Sequence, residues 1–126
     1  MHESKPFSLR KRLASNNHAF RGLAIFIERT HNAWIHLFVT ACGIYLGVTL
    51  RISNIEWMLL ILAISIVFVA EIINTAIETH MNLTSPDTHP HARDTKDIAA
   101  AAVAVSVLMA GCVGLFIFLP KILVLF

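Results

Sequence analysis

Hydrophobic and polar positions along this chain fall into four blocks, each with its own rhythm. From about Ser8 to Glu28 the apolar positions Leu9, Leu13, Phe20, Ala24 and Ile27 recur at steps of four, seven, four and three, with Arg10, Lys11, Arg12 and Arg21 between them. That spacing predicts an amphipathic helix that lies on a membrane surface or covers the body of the protein. From Ala33 to Leu50 no formal charge occurs over 18 residues, which just suffices for a first membrane span. Trp34 and Tyr45 are its candidate interfacial or packing aromatics, and Gly43 and Gly47 form a Gly-x-x-x-Gly pair that permits close helix contact. Ser53-Asn54 suits a turn and a helix cap. The second span then begins near Ile55, with Trp57 at the interface; its strictly apolar part ends at Ala70 and its helix continues through Glu71 to Glu78.

The pattern then breaks. Residues 79–97 hold Pro86, Pro90, His80, His89, His91, three aspartates, Arg93 and Lys96, which predicts a polar loop outside the bilayer. Asp97 is the candidate cap of a third span over Ile98 to Leu119, 22 residues without formal charge. Alanines at 99–102 and 104 allow a neighbouring helix to approach, and Pro120 with Lys121 is expected to end the span.

Composition turns these blocks into a fold class. A chain of 126 residues with 56% hydrophobic residues and mean hydropathy +0.70 fits neither a soluble nor a disordered domain. It reads as an all-α membrane protein: three transmembrane helices plus an N-terminal amphipathic surface helix, forming one domain over 1–126. Three short spans enclose little interior, so packing between subunits is expected to complete any site. Cys42 and Cys112 fall in apolar segments and read as small buried hydrophobes, with no disulfide. No cleaved signal peptide is expected from the charged first thirty residues. Six Lys and Arg precede the first span and two lie in 79–97, against Arg51 and Lys121 on the other side. This bias orients the N-terminus and the 79–97 segment toward the cytoplasm.

The candidate chemistry sits in Glu71-Ile72-Ile73-Asn74-Thr75-Ala76-Ile77-Glu78. On a helix Glu78 lies about 20° from Glu71 and Asn74 about 60° to one side, so all three share a face. A carboxylate at membrane depth costs roughly 2.5–3.5 kcal/mol on insertion scales, so acids placed there are ordinarily functional. The plainer alternative is a buried pair joining helices, with Glu78 in the headgroup region. At a cytoplasmic interface this face suits phosphoryl transfer from a nucleotide to a membrane alcohol. Glu71 can accept the hydroxyl proton, and Glu78, nearer water, can hold Mg²⁺ through oxygen. Asn74 can orient either acid, Lys96 can offset polyphosphate charge, and Asp97 can hold Lys96, a metal contact or the helix start. No phosphate-binding Gly-x-x-x-x-Gly-Lys-Ser/Thr motif or protein-kinase glycine loop occurs. His80, His89 and His91 lack a compact zinc pattern and read as solvated.

With the octet at 71–78, Ser85-Pro86-Asp87-Thr88-His89-Pro90 and Lys96-Asp97-Ile98-Ala99-Ala100, the sequence resembles the small prokaryotic diacylglycerol kinase family, which also contains the undecaprenol kinases. Phe20-Arg21-Gly22-Leu23 and His31-Asn32-Ala33-Trp34-Ile35-His36 extend the likeness upstream. The resemblance implies a homotrimer in the inner (cytoplasmic) membrane of a bacterial cell, with sites shared between neighbouring subunits. It implies ATP-dependent, Mg²⁺-supported phosphorylation of the primary hydroxyl of diacylglycerol to phosphatidic acid, and no nucleic-acid partner. By position it makes Glu71 the general base and Glu78 a magnesium ligand, with Asn74 supporting both. Asp87, Thr88, His89, Lys96 and Asp97, together with Glu78, would contact the nucleotide, and Lys11 and His18 occupy further positions that approach nucleotide or lipid. Asn32, Ala33, Trp34, Ile35, His36, Trp57, Glu71 and Ala100 would lie along the lipid.

Two departures stand out. Thr30 occupies the position of the family's second metal-binding glutamate, and Asn82 stands where an aspartate is common. Glu28, about 200° away around a helix, cannot replace the missing acid. An active enzyme with a raised magnesium requirement is the expected consequence. The rival functions are the same chemistry on a polyprenol, a catalytically impaired lipid-binding membrane protein, and an ion or proton carrier, which leaves the polar segment unexplained.

Overall fold

The computed structural model describes residues 6–85 and 89–126 as four helices joined by tight corners. They are α1 (Leu9–Arg29), α2 (His31–Thr49), α3 (Asn54–Thr84) and α4 (Pro90–Leu125). The last three are long and apolar enough to cross a membrane. α3 and α4 form an antiparallel hairpin, α2 lies against both, and α1 folds back over α2 and α3. Many large apolar side chains stay exposed on the spans. In hydrocarbon such side chains are solvated by lipid, so helix association depends on close packing and polar contacts.

Local sequence explains each start and stop. Ser8 caps α1 through the Lys11 amide at 3.4 Å. Ser53 and Glu56 make a reciprocal capping box that starts α3, as the Ser53-Asn54 pair suggested. α2 ends at Leu50 with two bonds, Arg51 N to the Val48 carbonyl and Ile52 N to the Gly47 carbonyl, at 3.3 and 3.2 Å. This is the six-to-one closure in which the residue after the cap turns left-handed. Arg51 takes that place at φ 52°, although glycine usually does. The turn drives Ile52 into a buried cluster with Leu60, Ile117 and Phe118, which fixes the far end of the bundle. Lys121 closes the same end with a 2.7 Å ion pair to Glu56.

Several expectations are corrected. Segment 79–97 is helical over 79–84 and 90–97. The Thr79 and Thr84 hydroxyls bond back to the carbonyls of Thr75 and His80, and a Lys96–Asn82 side-chain bond ties the two helix ends together. Asp97 is therefore no cap but lies two turns inside α4. His89 is the cap, its Nδ1 accepting from the His91 amide at 3.2 Å, with Pro90 as the first helical residue. Pro120 does not stop α4, which runs on to Leu125. Ile117 and Phe118 before it and Ile122 after it pack into one cluster, and Lys121 is held by Glu56. Cys42 and Cys112 are free but exposed. In α1 the buried residue is Phe26, off the predicted stripe, whereas Leu9, Leu13 and Phe20 remain exposed. The stripe is thus left to a lipid surface while the last turns pack inward.

Of the Gly43-Gly47 pair, Gly43 faces open space. A Cβ on Gly47 would lie 2.6 Å from Trp57 Cη2 and 2.9 Å from Cζ2. The close approach is therefore that of an indole to a helix backbone across the α2–α3 corner. Gly47→Ala should lower stability by about 1–3 kcal/mol through overpacking, read as a fall in the midpoint of thermal unfolding in detergent, whereas Gly43→Ala should leave the midpoint unchanged.

Candidate active site

The acidic face of α3 runs from buried to exposed over two turns. Glu71 is enclosed, Asn74 is half-buried and Glu78 lies open. The Glu71 side chain is 2% exposed and its Oε1 lies 2.9 Å from His36 Nε2 of α2. A buried carboxylate needs a hydrogen-bonding partner, and among the described residues His36 is that partner. The Phe68 ring meets the imidazole edge-on, with centroids 6.2 Å apart. Apolar residues on both helices otherwise surround the pair, so the contact lies where water is scarce.

One turn on, Asn74 Nδ2 donates to Glu78 Oε1 at 3.4 Å, while Asn74 Oδ1 is buried without a partner among the described residues. That oxygen belongs to an apolar groove of about 420 Å³ between α3 and α4, which Ile73, Ile77, Ala99 and Ala102 help to line. Thr30, in the break between α1 and α2, sets its hydroxyl 3.3 Å from that of Thr75. Thr30 therefore faces α3 between Glu71 and Glu78, although it carries no charge there. Beside it, a larger groove of about 870 Å³ separates α1 from α3, lined by Phe26, Ile72 and Ala76, with Thr75, Arg29 and His80 as its polar members.

The other expected site residues divide by location. Lys96 and Asp97 sit on the second turn of α4, close to the end of α3. Lys96 bonds to Asn82, and Asp97 is 4.0 Å from Arg93 on an exposed face. His89 is exposed and holds the start of that helix, its ring 5.5 Å from that of His91. Asp87 and Thr88 lie outside the described residues. The Lys11 and His18 side chains, on the first turns of α1, make no hydrogen bond or ion pair among the described residues. Of the segment expected along the lipid, Ala33 is wholly buried, Asn32, Trp34 and Ile35 are exposed, and His36 turns inward. Ala100 is exposed on α4. Trp57 stands 14 residues before Glu71 on α3, about 21 Å at the helical rise. It packs on Gly47 at the far end of the bundle.

Sequence reasoning placed His36 by resemblance but did not pair it with Glu71, and it missed the Asn82–Lys96 tie. One signal was available for the first. His36 is the only histidine between Ala33 and Leu50, and an ionisable group inside a span calls for a partner.

A family model described as prokaryotic diacylglycerol kinase matches residues 17–118. A protein named undecaprenol kinase, from Bacillus subtilis, is 37% identical over 105 residues, covering 83% of this chain and 85% of that one. A protein named diacylglycerol kinase, from Synechocystis sp., is 32% identical over 112 residues, covering 88% of this chain and 64% of that protein's length. No solved structure matches.

The enclosed pair carries a stability consequence. His36→Leu leaves the Glu71 carboxyl without its donor and should destabilise the protein by about 1–3 kcal/mol. Glu71→Gln keeps an oxygen acceptor for His36 and should cost less. Thermal unfolding followed by circular dichroism in detergent checks the order of the two.

Proposed function

Because this chain belongs to the prokaryotic diacylglycerol kinase family, we infer that it transfers the terminal phosphoryl group of ATP to the hydroxyl of a membrane lipid alcohol. The observation that carries this reading is the His36–Glu71 pair, buried in membrane-capable helices two turns from an exposed carboxylate. Such a stripe offers a proton acceptor at lipid depth and a metal ligand at the water edge. The lipid approaches from the bilayer and the nucleotide from the polar ends of α3 and α4.

The donor set suits magnesium. Glu78 supplies one carboxylate and Thr30 a hydroxyl, both hard oxygen donors. Among the described residues no group of three or more His, Cys, Asp or Glu could hold a metal ion alone. One or two carboxylates together with substrate phosphates is the usual manner of holding Mg²⁺, so the residues fit an ion that arrives with its nucleotide. When bound, the ion offsets phosphate charge. Lys96, set by Asn82, adds positive charge from α4, and the His89 turn with Asp87 and Thr88 forms the nucleotide edge. Lys11 and His18 approach from α1. The α1–α3 groove, apolar along its length with Arg29 and His80 at hand, suits a lipid chain and its polar end. Asn32 to His36, Ala100 and, further down, Trp57 line the lipid side.

Polyprenol is the favoured acceptor, since the undecaprenol kinase relative has the higher identity and the fuller overlap. Diacylglycerol, the first expectation from sequence, is the second reading, supported by the family description and the Synechocystis relative. A homotrimer in the bacterial inner membrane completes the proposal. The partnerless Asn74 oxygen in an apolar groove, and the exposed apolar faces of the spans, support cover by neighbouring copies. Both helix ends that carry the nucleotide residues, together with the N-terminus, face the cytoplasm on the distribution of Lys and Arg.

Protein reconstituted with labelled ATP and a panel holding both alcohols should label undecaprenol more efficiently than diacylglycerol; the reverse order restores the first expectation. Glu71→Gln should keep its helix content and lose about 10²–10⁴-fold in transfer rate. Thr30→Glu adds a carboxylate facing α3 near Glu78 and should lower the Mg²⁺ concentration that gives half-maximal rate. An unchanged magnesium curve would remove Thr30 from the metal shell.

A further inference from the structure

Within the buried pair, exposure and hydrogen bonding separate two roles. Glu71 is 2% exposed and His36 18%. The glutamate Oε1 is engaged by His36 Nε2. The second ring nitrogen, Nδ1, has no hydrogen bond among the described residues and is not among their sealed, partnerless atoms. A neutral imidazole that donates from Nε2 leaves its lone pair on Nδ1. That is the arrangement of a base held by a carboxylate, as in triads where the acid orients the ring and the ring takes the proton. A lipid alcohol must bring its oxygen within about 2.6–3.2 Å of the base, and the enclosed carboxylate is the harder of the two to reach. Additional copies of the chain can only add cover to Glu71.

Resting on the lipid-kinase reading, we propose that His36 is the group that accepts the alcohol proton, through Nδ1, and that Glu71 is the positioning residue that fixes its tautomer and stabilises the imidazolium. In the step, the lipid O–H bond breaks and its proton passes to Nδ1. The freed oxygen pair forms the bond to the γ-phosphorus, and the bond from that phosphorus to the β,γ-bridging oxygen breaks, its electrons leaving with ADP. The imidazolium then returns its proton to water. Few other groups perturb the ring. α3 presents Glu71, and α4 carries only Cys112 as a titratable side chain between Ile98 and Leu119. α1 ends in Glu28 and Arg29, both exposed, and α2 itself adds His31 five positions earlier.

His36→Gln separates the roles, because its amide still donates to Glu71 Oε1 but cannot take a proton. In vesicles holding the alcohol the wild type uses, this variant should lose about 10² to 10⁴ in kcat. KM for ATP and lipid should hold, and the decline in kcat on acidification through the imidazole range of pH 5–8 should disappear. Glu71→Gln should be slow yet keep that acid limb. If His36→Gln retains its rate and its pH profile, Glu71 itself is the base and the proposal falls while the kinase reading stands. If the wild type phosphorylates no lipid, the kinase reading falls and takes the proposal with it. Should His36→Gln not fold, ¹⁵N-histidine spectra of the wild type decide. A proton on Nε2 and a ring that titrates together with kcat are expected. A proton on Nδ1, or a ring that titrates apart from the rate, overturns the assignment.

Discussion

A single carboxylate enclosed between two membrane helices sets the terms for the rest of this molecule. Leaving Glu71 at that depth without a partner would cost several kcal/mol, and the 2.9 Å contact with His36 relieves it. The contact in turn requires α2 and α3 to keep one register. That register is set some 20 Å away, where Trp57 lies on Gly47, the left-handed Arg51 turns the chain, and Ile52 enters the cluster with Leu60, Ile117 and Phe118. Packing at the far end and chemistry at the near end are thus two ends of the same rigid corner.

The polar end is built differently. α3 and α4 continue past the apolar stretch as helices, tied by side-chain bonds such as Asn82 to Lys96. Function gains from this: residues that a loop would let wander, Lys96 and Asp97 among them, are carried on the same helix that packs on α3. The acidic face rises through this region from the sealed Glu71 to the open Glu78, which matches a reaction that joins a lipid to a water-borne nucleotide.

Much of this was legible in the chain. Charge-free stretches gave the spans, Ser53 and Glu56 announced the cap of α3, and the spacing of Glu71, Asn74 and Glu78 placed them on one face. Proline and charge in 79–97 suggested a loop because breaker signals are read locally, whereas threonine hydroxyls and the Asn82–Lys96 tie sustain helix there. Pro120 misled for the same reason, since packing on both sides of it holds α4 together. The His36–Glu71 and Glu56–Lys121 pairs join positions 35 and 65 apart, and no local pattern states which helix faces which. Phe26 was hidden by an amphipathic stripe that serves the membrane surface more than the protein interior.

A double-mutant cycle on phosphoryl transfer tests most directly whether His36 and Glu71 form one proton-handling unit. Rates are compared for wild type, His36→Gln, Glu71→Gln and the double variant in the same vesicles. Residues that act as a unit are strongly non-additive, so the double variant should be about as slow as the slower single one. Losses that multiply, each substitution exacting its full factor in the presence of the other, would contradict a coupled pair.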